Sequence, residues 1–257
     1  MRAILCCAVA AAVLKAQGTE NLNAVSWMQT AAEYQAVARQ TYRSARISLD
    51  RALADPRWTA ALEQSAELSS GFGDKAPIVI LDLDETVLDN SALQARNVVK
   101  NRAFTEEGWN AWVAERRAQL VPGARDFLAY AHGRGVTPFY ITNRQCNADS
   151  PDDPTVAVLK AHQLPFAPHR LLCRKETGDK SPRRARAAQL GRVLLMFGDD
   201  LNDFVTLPFR AEPRASFVAD YATYWGERWF MLPNPTYGSW ERTTGVGSQQ
   251  KIKSLRQ

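Results

Sequence analysis

The sequence predicts an α/β fold: a Rossmann-like parallel sheet with an N-terminal helical region and a helical cap. Three observations predict it. Ile78-Val79-Ile80-Leu81 is a short, wholly apolar, β-branched run, the pattern of a strand buried on both faces. Comparable runs recur along the chain and alternate with helix-length segments, which implies right-handed βαβ crossovers. A chain of 257 residues with 46% hydrophobic content can bury one substantial core and still carry an elaboration.

In chain order, Arg2 supplies a positive n-region and residues 3–14 an apolar stretch too short to span a membrane. Residues 1–16 are therefore expected to be a signal peptide, and the protein exported, periplasmic or associated with an outer membrane. Cys6 and Cys7 sit inside the apolar stretch, too early for an acylated lipoprotein cysteine, so membrane association is expected only if an unusual cleavage permits a lipid anchor. Residues 17–75 form the helical region: from 23 to 70 apolar positions such as Val25, Met28, Ala32, Val37 and Ala38 recur at helical spacing, broken at Pro56. The core follows over 76–257. Strands are expected at 78–81, 136–141, 170–173, 193–197 and 215–218, and helices at 124–133, 155–162 and 183–189, the last with Pro182 in its first turn. Residues 90–120 are helical, polar and rich in tryptophan, too long for a minimal crossover. They are expected to form the cap over the C-terminal edge of the sheet.

Charge narrows the partners. A formal charge of +5 and a pI of about 9.1 favour anionic ligands, but no nucleic-acid motif accompanies them, so no nucleic acid polymer is expected. The chemistry lies at the strand ends. The first strand ends in Asp82 and Asp84, the second in Thr142-Asn143-Arg144, and the third is followed by Lys175 and Lys180. The fourth ends in Gly198-Asp199-Asp200-Leu201-Asn202-Asp203-Phe204. Buried strands have no structural need for ionised groups there, whereas open α/β sheets bind ligands at that edge. Two carboxylates about 4 Å apart repel by about 4 kcal/mol at an effective dielectric near 20, so this many acids call for a cation.

These motifs resemble those of the haloacid-dehalogenase-like (HAD-like) phosphohydrolases. More narrowly, 80–90 and 198–204 look like the paired signatures of class C (non-specific) bacterial acid phosphatases, with the tail at 232–238 included. The resemblance implies a magnesium-dependent phosphomonoesterase. Asp82 would attack phosphorus to form an aspartyl phosphate, and Asp84 would serve as acid and then base. Thr142 and the Asn143 N–H would bind phosphate oxygens, and Lys180, at the start of a helix, would balance charge. Mg²⁺ would be held by Asp82, the Asp84 carbonyl and Asp199, with Asp203 orienting a bound water. Asp200 stands where the family usually has Asn, and Leu93 where it often has Tyr.

Trp109, Trp112 and Tyr221, with Tyr224 and Trp225, could stack on an aromatic leaving group such as a nucleobase, or could simply pack the core and cap. The resemblance implies a broad phosphomonoesterase, with nucleoside 5′-monophosphates among the expected substrates. A phosphotransferase would use the same two aspartates, and a non-catalytic binding or storage protein would be expected to lack Asp82. Cys146 and Cys173 could form a disulfide in an oxidising compartment or remain unpaired. The sequence leaves a homodimer open.

Overall fold

The computed structural model describes residues 20–65, 71–208, 210–245 and 247–256. The expected signal peptide at 1–16 and the end of the helical stretch at 66–70 lie outside the described residues.

Five parallel strands form the sheet: β1 (Pro77–Leu81), β4 (Thr137–Ile141), β5 (Leu171–Leu172), β6 (Arg192–Gly198) and β7 (Trp229–Met231), in the order β5-β4-β1-β6-β7. β1 lies at the centre, and the two-residue period of its side chains divides the core. Val79 and Leu81 face one apolar cluster, and Ile78 and Ile80 the other. Helices α1 (Leu22–Thr30), α2 (Ala32–Ala54) and α3 (Leu62–Ser65) precede the sheet. α2 buries a stripe of Tyr34, Ala38, Tyr42, Ala45, Leu49 and Ala52, spaced to share one helical face. Tyr42 stacks on Phe197 of β6 at 5.5 Å, and its hydroxyl donates to the Thr86 carbonyl at 2.7 Å. The N-terminal helices therefore support the loop that follows β1.

Between β1 and β4 the chain forms α4 (Ser91–Val99), α5 (Glu106–Glu115) and α6 (Ala124–Gly133). A pair of two-residue antiparallel strands, β2 (Leu88–Asp89) and β3 (Gln119–Leu120), closes the base of α4 and α5. The crossovers continue with α7 (Pro154–Ala161) and α8 (Ser181–Leu190), then α9 (Ala211–Asp220), and the chain ends in α10 (Glu241–Thr244) and α11 (Ser248–Ser254). One expected strand is corrected. Residues 215–218 belong to α9, where Arg214 and Phe217 are buried three apart, and the fifth strand is β7. Its Trp229 is fully buried, stacked on Phe217 at 5.6 Å, and donates Nε1 to the Ala60 carbonyl at 2.8 Å.

Cys146 and Cys173 form a disulfide, with Cα atoms 5.6 Å apart. It ties together the loops that follow the adjacent strands β4 and β5. No described helix is long and apolar enough to cross a membrane.

Candidate active site

Parallel pairing brings the C-terminal ends of β1, β4 and β6 to one edge, and the acids of the sequence motifs meet there. Past β1 the chain closes a tight loop, in which Val87 and Leu88 both donate to the Leu83 carbonyl at 2.8 and 2.7 Å. Glu85 within it adopts a left-handed φ of 57°, a conformation non-glycine residues rarely take and one that clusters at functional sites. Past β6, Gly198 leaves no room for a side chain: a Cβ there would lie 2.3 Å from Asp203 Oδ2. Asp203 folds back over it and accepts the Asp200 N–H at 2.9 Å.

Carboxylate oxygens of Asp82, Asp199 and Asp203 lie within 4.8 Å of one another. Lys180 Nζ donates to Asp82 and, at 2.6 Å, to Asp203. Asp199 accepts from Asn234 Nδ2 at 2.8 Å and from the Thr86 hydroxyl at 3.4 Å. Three carboxylates and one ammonium leave two negative charges when all are ionised. With an all-oxygen donor set, that balance fits a hard divalent cation.

The electrostatics agree. Burial pushes the Asp82 carboxyl up from 3.8 to about 7; Lys180 opposes the rise, and Asp203 and Asp84 add to it. Burial also holds Asp199 well above the usual carboxylate range, with Asp203, Asp82 and Glu85 reinforcing it. Native Asp82 thus binds its proton more tightly than the unfolded chain does, and its contribution to stability falls as pH rises from about 4 towards about 7. The chelated protein is therefore expected to lose thermal stability across that window, and a divalent cation should restore it at the upper end. Melting curves at fixed ionic strength check this; a cation effect equal at both ends of the window would contradict it.

The other expected residues fall into two groups. Thr142 is fully buried, and its Oγ1 accepts the Arg144 N–H at 3.1 Å, leaving the hydroxyl hydrogen free for another acceptor. Arg183 donates to the Thr142 carbonyl, to Asn143 Oδ1 at 2.8 Å and to the Asp179 carbonyl at 3.0 Å, which binds the β4 loop to the loop bearing Lys180. Lys175 is exposed, so the buried lysine is Lys180. The Asp84 carboxylate does not join the three-acid cluster; it pairs with Arg144 at 2.6 Å. Trp109 is half-buried on α5, with the exposed Phe104 ring 6.4 Å away.

Trp112 and Tyr221 are placed as packing residues. Trp112 is buried and donates Nε1 to Asn90 Oδ1 at 2.8 Å, and Tyr221 packs on Phe217 and Trp229 on one flank of the sheet. Asp200 also turns away from the acids. Its side chain accepts from Asn202 N, Ser239 N and Ser239 Oγ, with Arg214 at 3.6 Å, so it pins the C-terminal tail. Leu93 is buried in the core.

Arg144, Asn90 and Asn234 each hold one of the site's carboxylates, and sequence reasoning gave none of them a role. All three lie within quoted motifs, at 80–90, 142–144 and 232–238. Their place inside those motifs was the available signal.

Buried aspartates at two neighbouring strand ends, bridged by a buried lysine, fit phosphoryl-transfer chemistry, and comparison with known proteins gives the class. The family model for the HAD superfamily, subfamily IIIB (acid phosphatase), matches residues 7–240, and the chain belongs to that family. Two solved structures of the class C acid phosphatase from Bacillus anthracis, one with tungstate bound, are each 30% identical, with a TM-score of 0.78. The matches cover 93% and 94% of this chain and 98% of that one. The protein is accordingly a phosphoric monoester hydrolase acting on small phosphoesters.

Proposed function

We propose that the protein is an exported, Mg²⁺-dependent acid phosphatase that hydrolyses phosphomonoesters, nucleoside 5′-monophosphates among them, through an aspartyl phosphate on Asp82. The observation that carries this is the bridge from Lys180 to Asp82 and Asp203, beside Asp199. It supports a nucleophile held beside a buried ammonium, among acids able to hold a divalent cation.

Asp82 attacks phosphorus as the bond to the leaving alkoxide breaks, and Asp84 donates a proton to that alkoxide. Asp84 then takes a proton from the water whose oxygen displaces Asp82 from phosphorus. Thr142 donates its free hydroxyl hydrogen to a phosphoryl oxygen, and the Asn143 N–H assists. Lys180 offsets charge on the nucleophile and the transferring group. Mg²⁺ on Asp82, the Asp84 carbonyl and Asp199, with Asp203 orienting a bound water, would supply Lewis-acid stabilisation of the phosphoryl oxygens. That the Bacillus anthracis relative binds tungstate, a tetrahedral oxyanion, supports a substrate carrying a tetrahedral phosphoryl group. The half-buried Trp109 and exposed Phe104 favour substrates with an aromatic leaving group.

Export is supported by the apolar segment at 3–14 and by the Cys146–Cys173 disulfide, which persists in oxidising compartments. N-terminal sequencing of the exported chain tests cleavage after Ala16: a retained Met1 would refute it. For the activity, phosphate release is measured over aryl, alkyl and nucleotide monoesters, with Mg²⁺ or chelator, from acidic to neutral pH. Turnover that requires Mg²⁺ and is higher on aryl and nucleotide esters is expected. Undiminished turnover in chelator would refute the metal, and equal rates on all esters would refute the aromatic preference.

A further inference from the structure

Arg144 takes no part in the reaction described above, yet its guanidinium is only 2% exposed and grips one carboxylate at the site. Nε and Nη2 donate to Asp84 Oδ1 at 2.9 and 2.6 Å, and Nε reaches Oδ2 at 3.2 Å. Asn90 Nδ2 adds another donor to Oδ1 at 2.9 Å. Oδ1 therefore receives three donors, while Oδ2 shares a single long one.

Both residues that make this arrangement are themselves fixed. Asn90 accepts on Oδ1 from Trp112 Nε1 at 2.8 Å and from Arg144 Nη2 at 3.3 Å, which settles which end of its amide faces Asp84. Its backbone N–H donates to Glu85 Oε1 at 2.8 Å. Arg144 is tethered at both backbone groups, its N–H to Thr142 Oγ1 at 3.1 Å and its carbonyl to the Arg174 N–H at 3.0 Å. Its guanidinium carbon lies 5.5 Å from the centre of the Trp109 ring.

We propose that Arg144 is a positioning residue that saturates Asp84 Oδ1 and thereby selects Oδ2 as the oxygen that exchanges the proton. The inference rests on the phosphomonoesterase reading. In the first step the bond between Asp82 and phosphorus forms while the bond from phosphorus to the leaving oxygen breaks, and the proton on Asp84 Oδ2 passes to that oxygen. In the second, Oδ2 takes a proton from water as the water oxygen bonds to phosphorus and Asp82 leaves. The planar fork of arginine can occupy Oδ1 with two donors at once; a lysine ammonium presents no such fork.

A clamp that merely held the fold would lower activity on every substrate alike. A residue acting through the proton donor must matter most where the leaving group needs the proton. The test compares kcat/KM, which reports the step that releases the alcohol, for an alkyl phosphate and an activated aryl phosphate. In Arg144→Lys and Arg144→Ala, the alkyl ester is expected to lose about 100-fold and the aryl ester less than about 10-fold. Added methylguanidinium should restore part of the alkyl activity to Arg144→Ala but not to Arg144→Lys. If the alanine variant does not fold, the charge-preserving lysine variant carries the comparison. Equal losses on both esters, or no loss on either, would overturn the proposal while leaving the phosphatase reading intact. A wild-type enzyme with no metal-dependent phosphate release would overturn both.

Discussion

Replacing Asp82 by Asn is expected to lower phosphate release by at least about ten-thousand-fold, the scale on which covalent nucleophiles are lost in other enzymes. Stability should move the other way. Burial already pushes the Asp82 carboxyl up to about 7, so at neutral pH its charge is held at a cost in the absence of metal. Asn keeps an oxygen for Lys180 and removes that charge. In chelator, Asp82→Asn is therefore expected to melt no lower than the wild type, and to gain less from an added divalent cation. Turnover within ten-fold of wild type would exclude Asp82 as nucleophile; a lower melting temperature in chelator would exclude the charge argument.

Lys180→Met is expected to damage both activity and stability. Lys180 is buried between two acids. Burial alone would push its ammonium down, but Asp203 and Asp82 hold it above the ordinary lysine range. Removing it leaves two buried carboxylates without their cation, a loss of about 3–5 kcal/mol and roughly 10 °C in melting temperature near neutral pH. The sign with pH follows from linkage. Unpaired buried acids have folded pKa values above their unfolded ones, so the folded state binds protons more tightly and recovers stability as pH falls. The deficit should therefore shrink at pH about 4. Phosphate release should fall about 100- to 1,000-fold, the scale for losing one preorganised charge-stabilising group. A stability deficit independent of pH would contradict the pairing; unchanged turnover would remove Lys180 from the mechanism.

Much of the site was legible because it lies at the ends of strands that are themselves legible. β1, β4 and β6 are built on apolar runs, and polar residues directly after them must sit at one sheet edge. Short elements were harder to read. β7 has three residues, and β2 and β3 have two each, too few for periodicity to register. Residues 215–218 carry an apolar pair that fits strand or helix, and only the packing of Phe217 on Trp229 decides. The sequence marks Asp200 only as standing where the family usually has Asn; its Ser239 partner is 39 residues away and reached only through the folded tail. Arg144 and Asp84 are 60 residues apart, and no local pattern announces that their side chains meet. The disulfide was undecided for the same reason: it depends on β4 and β5 being neighbours in the sheet.

The most direct test of covalent catalysis is to catch the phosphoryl group on the chain. Asp84→Asn, which lacks the base for the second step, is mixed with radiolabelled aryl phosphate and Mg²⁺, quenched in acid within one turnover and mapped by peptide. The label is expected on the peptide containing Asp82, stable in acid and lost on mild alkaline treatment, and absent from the double variant Asp82→Asn, Asp84→Asn. Release of the aryl alcohol with no label on that peptide, or label on a different residue, would contradict an aspartyl phosphate at Asp82.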